Sequence, residues 1–404
     1  MNCSIRQGTD LIRLGKMNSW KKAVLIFLIG FLSGMGIMAA ILLGRESRLT
    51  KEQLPPGETD TSDKGLTTQF PIVQNETERD KAKQDETVQE ETVQDKTEKE
   101  KQAWNFKVVG YFPAWKEDTG KIRYDVLTHI NYAFAIPTEE GRLRPLDQAE
   151  MAERIISEAH ERGVKVFLAV GGWSYEEVPL EPVFVAATET AEKRALLADE
   201  IVAMCDAYGF DGVDLDWEHP RVDNSSSYQY EALLKELSER LHQQGKELSS
   251  AVIGGVTADG VVSYDAAAHT EQALEYVDWI NVMAYDGGEG ERHSAYEFAV
   301  ACSEYWIGNR HMPPEKVVLG MPFYARPGWA SYEEIMEQSP ESADQDHAYY
   351  NGLDAWYNGT TTIAAKTQYA LEHLGGVMIW EVSQDTSGSD SLQQVIGDTI
   401  RDRK

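Results

Sequence analysis

The chain has 404 residues, 42% of them hydrophobic, and 67 acidic against 38 basic side chains leave a formal net charge of -29. Nucleic-acid affinity comes from lysine and arginine displacing counterions, so this balance argues against DNA or RNA as a partner. Three scattered cysteines, Cys3, Cys205 and Cys302, exclude a disulfide-built scaffold or a zinc knuckle and read as buried, inert thiols.

From Ala23 to Gly44 there is no charged side chain over 22 residues, a length that crosses a ~30 Å hydrocarbon core as a helix. Arg6, Arg13, Lys16, Lys21 and Lys22 precede this run, with only Asp10 opposing them. The positive-inside rule then makes residues 1–22 a cytoplasmic basic segment, residues 23–44 a transmembrane signal anchor and everything beyond extracellular. A cleaved signal peptide, with secretion, is the alternative; it carries a shorter apolar region and a small-x-small site. Here Ala39 and Ala40 are followed by more apolar residues. Residues 45–103 hold 15 acidic and 10 basic side chains, few aliphatic ones, and the near repeat ETVQ at 86–89 and 91–94. Such a stretch cannot bury enough surface to offset its ordering entropy and reads as a disordered charged linker.

From Trp104 the pattern changes to short runs rich in Val and Ile: 106–112, 129–135, 164–170, 212–217, 248–253, 279–285, 316–324 and 376–381. Amphipathic stretches such as 149–163, 192–209 and 227–245 lie between them. Strand and helix alternating eight times predict an α/β fold, a (β/α)8 TIM barrel spanning 104–404. An open doubly wound sheet would carry a Gly-rich turn after its first strand, and Val109-Gly110-Tyr111-Phe112-Pro113 is not one.

Reacting groups of such barrels sit at the C-terminal ends of the strands. The fourth run reads Asp211-Gly212-Val213-Asp214-Leu215-Asp216-Trp217-Glu218. Alternation puts Asp214, Asp216 and Glu218 on one face and Val213, Leu215 and Trp217 on the other. The apolar set suits the helix layer, so the three acids point into the barrel. Carboxyl groups about 7 Å apart cannot all ionise cheaply there, and raised pKa values follow. A raised carboxyl is what a general acid needs at neutral pH, and Glu218, nearest the mouth, is that candidate. Asp216 lies between it and Asp214, able to share a proton with either.

DGVDLDWE resembles the D-G-x-D-x-D-x-E signature of glycoside hydrolase family 18, the chitinases and endo-β-N-acetylglucosaminidases. VVGYFPAW, AVGGWS (169–174), NVMAYD (281–286), MPFYAR (321–326) and GGVMIWEVSQD (375–385) are similar to further family segments in the family's order. The resemblance covers essentially all of 104–404, and with the anchor it suggests a membrane-anchored, bacterial-type member. It implies retaining hydrolysis of β-1,4 bonds next to N-acetylglucosamine, assisted by the substrate's own acetamido group. By motif position Glu218 is the general acid and base, Asp216 holds the acetamido N–H, Asp214 manages the proton behind it, and Tyr285 binds the acetamido oxygen. Asp286, Met283 and Trp380 would contact the sugar that is attacked, Trp173 and Trp115 would stack further sugars, and Arg326 would contact substrate.

The expected partner is chitin or another N-acetylglucosamine-containing glycan; neither a cofactor nor a metal is expected, and a monomer is. N-glycans and peptidoglycan remain alternative substrates, and a chitin-binding lectin without catalysis is a minor one. His219, after the acid, stands where relatives often have an aromatic residue and receives no role. Ala169 replaces the family's third-strand serine, a partner of the first aspartate, with Tyr111 as the possible substitute. Of the 50 residues from Arg326 to Gly375, 361–374 read as the barrel's seventh helix, and only about 35 are left for a loop, too few for the insertion that deepens processive grooves, which favours endo action.

Overall fold

The computed structural model describes residues 106–224 and 226–403. The eight Val- and Ile-rich runs form eight strands: β1 (Lys107–Pro113), β2 (His129–Ala135), β3 (Lys165–Gly171), β4 (Gly212–Asp216), β5 (Glu247–Ile253), β6 (Trp279–Met283), β7 (Val317–Pro322) and β8 (Gly376–Trp380). Each pairs in parallel with the next, and β1 pairs with β8, Lys107 opposite Gly376, which closes the barrel. Strands covered on both faces need apolar side chains throughout, and every residue of β2 and of β4 is buried.

Inward side chains fill the barrel in layers. At the N-terminal end the rings of His129, Phe167 and Trp279 pack with centroids 5.1 to 5.5 Å apart. Burial pushes the His129 imidazole down to about 3, so the ring is neutral in this plug. Gly212 belongs to the same layer, where a Cβ would lie 2.6 Å from the Phe167 ring. This cluster closes the bottom of the barrel among the described residues and leaves the C-terminal ends of the strands as its mouth.

The outer layer contains the predicted helices as Ala149–His160, Ala191–Tyr208, Ser226–Gln243 and Thr360–His373. The first buries Ala152, Ile155, Ile156 and Ala159, one stripe at helical spacing. The second starts at Thr190, whose hydroxyl accepts from Lys193 N, and stops at Gly209 in the left-handed region (φ 79°). Strand and helix do not alternate eight times, however. The 15 residues between β1 and β2 contain a 3-10 turn, Thr119–Lys121, in place of an α-helix. That segment is tied down instead: the buried Lys121 ammonium donates to the Asp385 carbonyl at 2.6 Å and pairs with Glu333. Between β7 and β8 the loop forms a short helix, Tyr332–Gln338, and a hairpin of His347–Tyr350 with Leu353–Trp356.

The predicted cytoplasmic segment, transmembrane anchor and charged linker lie outside the described residues. Among the described residues no helix is long and apolar enough to cross a membrane.

Cys205 and Cys302 are both free and fully buried, and burial pushes each thiol up to about 12. The thiolate is the reactive form. Iodoacetamide at pH 8 is therefore expected to leave both unmodified in the folded chain and to label both in denaturant; labelling of either in the native protein would contradict this packing.

Candidate active site

The faces of β4 fall as its alternation requires. On the helix side Trp217 lies flat on Phe184, centroids 4.7 Å apart and 9° between planes, with Tyr230 edge-on at 6.1 Å. On the inner side Asp214 is fully buried and Asp216 is 3% exposed. Glu218 stands just past the strand end, with 18% of its side chain accessible. The three predicted acids therefore form a column from the middle of the barrel to its mouth.

Their surroundings differ. Asp214 accepts from Tyr111 Oη at 2.5 Å, Ser249 Oγ at 2.6 Å and Asn281 Nδ2 at 2.9 Å. Asn281 Nδ2 also donates to Tyr111 Oη at 3.4 Å, which leaves the tyrosine proton for Asp214. Burial raises Asp214 from its ordinary value, and the Ser249, Tyr111 and Asn281 donors oppose that shift. Ala169 is the β3 residue in register with Asp214, and Tyr111 does occupy the partner role that the missing serine hydroxyl leaves. Ser249 and Asn281 were not singled out from the sequence, although both are inward residues of their strands and Asn281 begins the NVMAYD segment.

No donor among the described residues reaches Asp216 Oδ1, which is buried without a partner. Burial, then the charges of Glu218 and Asp214, raise it well above the carboxylate range. Three donors on Asp214 and none on Asp216 Oδ1 favour the negative charge on the former and a proton on the latter. Burial, then Asp286, lifts Glu218 to about 7.

Tyr285 follows β6 and lies beside the column; burial, then Asp216, raises its phenol well above the usual range. Gly320 on β7 gives it room, since a Cβ there would be 3.0 Å from the Tyr285 ring. Asp286 takes the left-handed conformation, φ 56°, uncommon outside glycine. Tyr324 Oη donates to its Oδ2 at 2.8 Å, and His293 Nδ1 lies 3.1 Å from its Oδ1. Burial alone would raise Asp286; His293 and Tyr324 hold it below its ordinary value instead.

The loop carrying both residues is closed on itself. Gly287 N donates to the His293 carbonyl at 3.1 Å, and Ser294 Oγ to the Ala284 carbonyl at 3.1 Å. Lys366 pins it from the helix Thr360–His373: its fully buried ammonium donates to Ser294 O at 2.7 Å, Ser294 Oγ at 2.8 Å and Asn358 Oδ1 at 2.7 Å. Nothing in the sequence distinguishes Lys366 from a solvated helix lysine.

Aromatic rings cross the barrel mouth. Trp380 packs edge-on to Tyr111 at 5.4 Å and stacks with Phe134 at 5.8 Å, and Phe134 leads to Trp115 at 6.2 Å. Trp115 and Trp173 are 61% and 63% exposed, free to meet a ligand. Arg326 lies 3.6 Å from Asp286 Oδ1, pairs with Glu289 at 3.1 Å and covers Trp329 at 4.0 Å. Met283, the last residue of β6, is partly buried against the core. A cavity of about 320 Å³ opens on the other side of Glu218, lined by Trp173, Glu181, His219, Arg221 and Asp265 among others.

Comparison with known proteins agrees with this geometry. The model of the glycosyl hydrolases family 18 matches residues 107–385. The curated relatives include a probable chitinase 10 of Drosophila melanogaster, 25% identical over 70% of this chain and 15% of that protein. They also include chitinase A1 of Niallia circulans, 23% identical over 70% of this chain and 57% of that protein. The chain thus spans less than two thirds of the length of these relatives. Among solved structures, a family 18 chitinase from Flavobacterium johnsoniae has 28% identity and a TM-score of 0.63, covering 74% of this chain and 95% of that one. A plant class V chitinase mutant from Cycas revoluta in complex with (GlcNAc)3 has 26% identity and a TM-score of 0.62, covering 72% and 99%.

Burial lowers Lys366 to about 7, below its unfolded value. Between pH 7 and 10 the unfolded chain then binds this proton and the folded chain does not, so stability gains from this site as pH rises through that window. Lys366→Met is expected to lose on the order of 2 kcal/mol or more, because buried acceptors are left unpaired, and to lose this part of the pH slope. Equal slopes of melting temperature against pH in both proteins would contradict the assignment.

Proposed function

Because the chain belongs to the glycosyl hydrolases family 18, we propose that it is a chitinase that cleaves β-1,4 bonds of N-acetylglucosamine polymers with retention. The observation that carries the reading is the column of acids along β4 and just past it: Asp214 accepts three hydrogen bonds, burial raises Asp216 well above the carboxylate range, and burial with Asp286 lifts Glu218 at the mouth to about 7. A sugar-binding relative without catalysis has no use for that gradient.

In this mechanism Glu218 gives its proton to the leaving oxygen while the substrate's acetamido oxygen closes on C1 to form an oxazolinium ion. Tyr285 donates to that acetamido oxygen and orients it. Asp216 passes its proton down to Asp214, and as a carboxylate it accepts the acetamido N–H and stabilises the positive ring. Water then adds at C1 from the same face, losing a proton to Glu218, which restores the acid. Asp286, with Arg326 beside it, binds the sugar distorted over Trp380; Trp115 and Trp173 stack sugars to either side, and Met283 lines the pocket wall. The segment between β7 and β8 adds only a short helix and a hairpin of four-residue strands ahead of the helix Thr360–His373, a small insertion that supports endo action.

The uncharged run 23–44 and the basic residues before it support a barrel displayed outside the cell membrane on the 45–103 linker. The full chain should sediment with membranes and keep Met1; extracellular protein beginning near residue 40 would replace this arrangement with secretion.

On a chitin hexamer, Glu218→Gln is expected to lower kcat by about 10³-fold, as loss of a general acid does, while sugar binding persists. The wild-type rate should fall as pH rises through about 7, because the proton to be donated is then lost. Products of several lengths at the earliest times would accompany endo cleavage. Unchanged turnover in the variant overturns the assigned acid; cleavage of peptidoglycan or N-glycoprotein in place of chitin overturns the substrate.

A further inference from the structure

Glu218 must be neutral when it donates its proton and charged a moment later, yet in this structure its carboxyl lies in a pocket with little to receive that charge. Among the described residues the one basic group in ion-pair range is His219, with Nε2 3.7 Å from Glu218 Oε2. The imidazole is not a loose surface ring. It packs edge-on to Trp173 at 5.1 Å, and both line the 320 Å³ cavity beside the acid. The chain behind it is fixed by Arg221 N donating to Ser226 Oγ at 2.8 Å and Ser227 N to the Arg221 carbonyl at 3.3 Å.

We propose that His219 is a positioning residue for the acid: its Nε2–H closes on the Glu218 carboxylate once the proton has left for the leaving oxygen, and releases it when the proton returns from water. No proton is exchanged between the two groups, so the step balances as a hydrogen bond formed and broken. The inference rests on the hydrolase reading of this site. A gap of 3.7 Å with a neutral acid is the expected resting state, since catalytic hydrogen bonds are often long until charge develops. A donor that engages only the charged form stabilises the transition state more than the ground state, which is the condition for raising kcat.

Burial favours the neutral ring at His219. Burial lowers it, with Arg221 in the same direction, while Asp265 and Glu181 oppose; the buried His269 is the other ionisable ring coupled to it.

The test compares wild type, His219→Phe and His219→Gln on a chitin oligosaccharide, with Glu218 titrated by 13C NMR and each fold checked by melting. In His219→Phe kcat should fall about tenfold, as for one hydrogen bond to a charged group, with KM little changed, and the Glu218 midpoint should rise. His219→Gln keeps an N–H donor, so it should recover most of kcat and bring the Glu218 midpoint back toward the wild-type value. A Phe variant with the wild-type rate profile and Glu218 midpoint would overturn the proposal, as would a Gln variant as slow as Phe. A rise in KM alone would assign the ring to sugar packing through Trp173 and overturn it too. The NMR titration needs no substrate, so it judges His219 even if chitin turnover is absent and the functional reading fails.

Discussion

Burying carboxyl groups is costly unless each is hydrogen-bonded, neutralised or near its own pKa, and β4 buries a column of them. The structure meets this constraint differently at each height. At depth Asp214 keeps its charge because Tyr111, Ser249 and Asn281, from three strands, aim donors at it. One pleat higher no donor among the described residues reaches Asp216 Oδ1, and burial favours the protonated form of that carboxyl. At the mouth Glu218 is desolvated enough to sit near neutrality and open enough to exchange with a substrate. A single strand thereby carries a fixed charge, a stored proton and a labile proton in that order, and the closed barrel around it excludes the water that would level the three.

The column is rigid because it belongs to the barrel, but the residues that must grip a sugar come from loops. Tyr285 and Asp286 lie past the end of β6, where backbone hydrogen bonding to neighbouring strands has stopped. The structure compensates with a closed loop, 284–294, whose far end is held by a lysine with all its donors engaged. Holding Asp286 through His293 and Tyr324 keeps it ionised beside a group, Glu218, that has to gain and lose a charge. Loop residues are thus positioned with nearly the precision of strand residues, as catalysis at a distance of one hydrogen bond requires.

The barrel was legible because its signal is periodic. Eight apolar runs correspond to eight strands, and the alternation in DGVDLDWE places the acids inward and Trp217 on Phe184. What was not legible depends on contacts distant in sequence. Ser249 and Asn281 look like any small polar residue in a strand until the closure of the barrel turns them toward Asp214. Lys366 reads as the solvated face of an amphipathic helix, yet it is buried because a loop 72 residues earlier folds over it. His219 was set aside because it departs from an aromatic position; only the 3.7 Å approach of Nε2 to the acid gives it a part. The missing helix after β1 had no local warning either, since the tie between Lys121 and the Asp385 carbonyl spans 264 positions.

Net charge connects these levels. Residues 104–404 carry -28 of the chain's -29, and the cations nearest the mouth are already engaged, Arg326 with Asp286 and Glu289 and Lys116 with the buried Glu381. A negative field with few free cations favours the protonated form of every carboxyl in the column, which is the direction a general acid needs. An uncharged sugar polymer is not repelled by such a field, whereas a phosphate or a carboxylate ligand would be. The acidity of the sequence, which at first only excluded nucleic acid, therefore works in the same sense as desolvation at the site, and among the described residues His219 is the one basic group in ion-pair range of the acid.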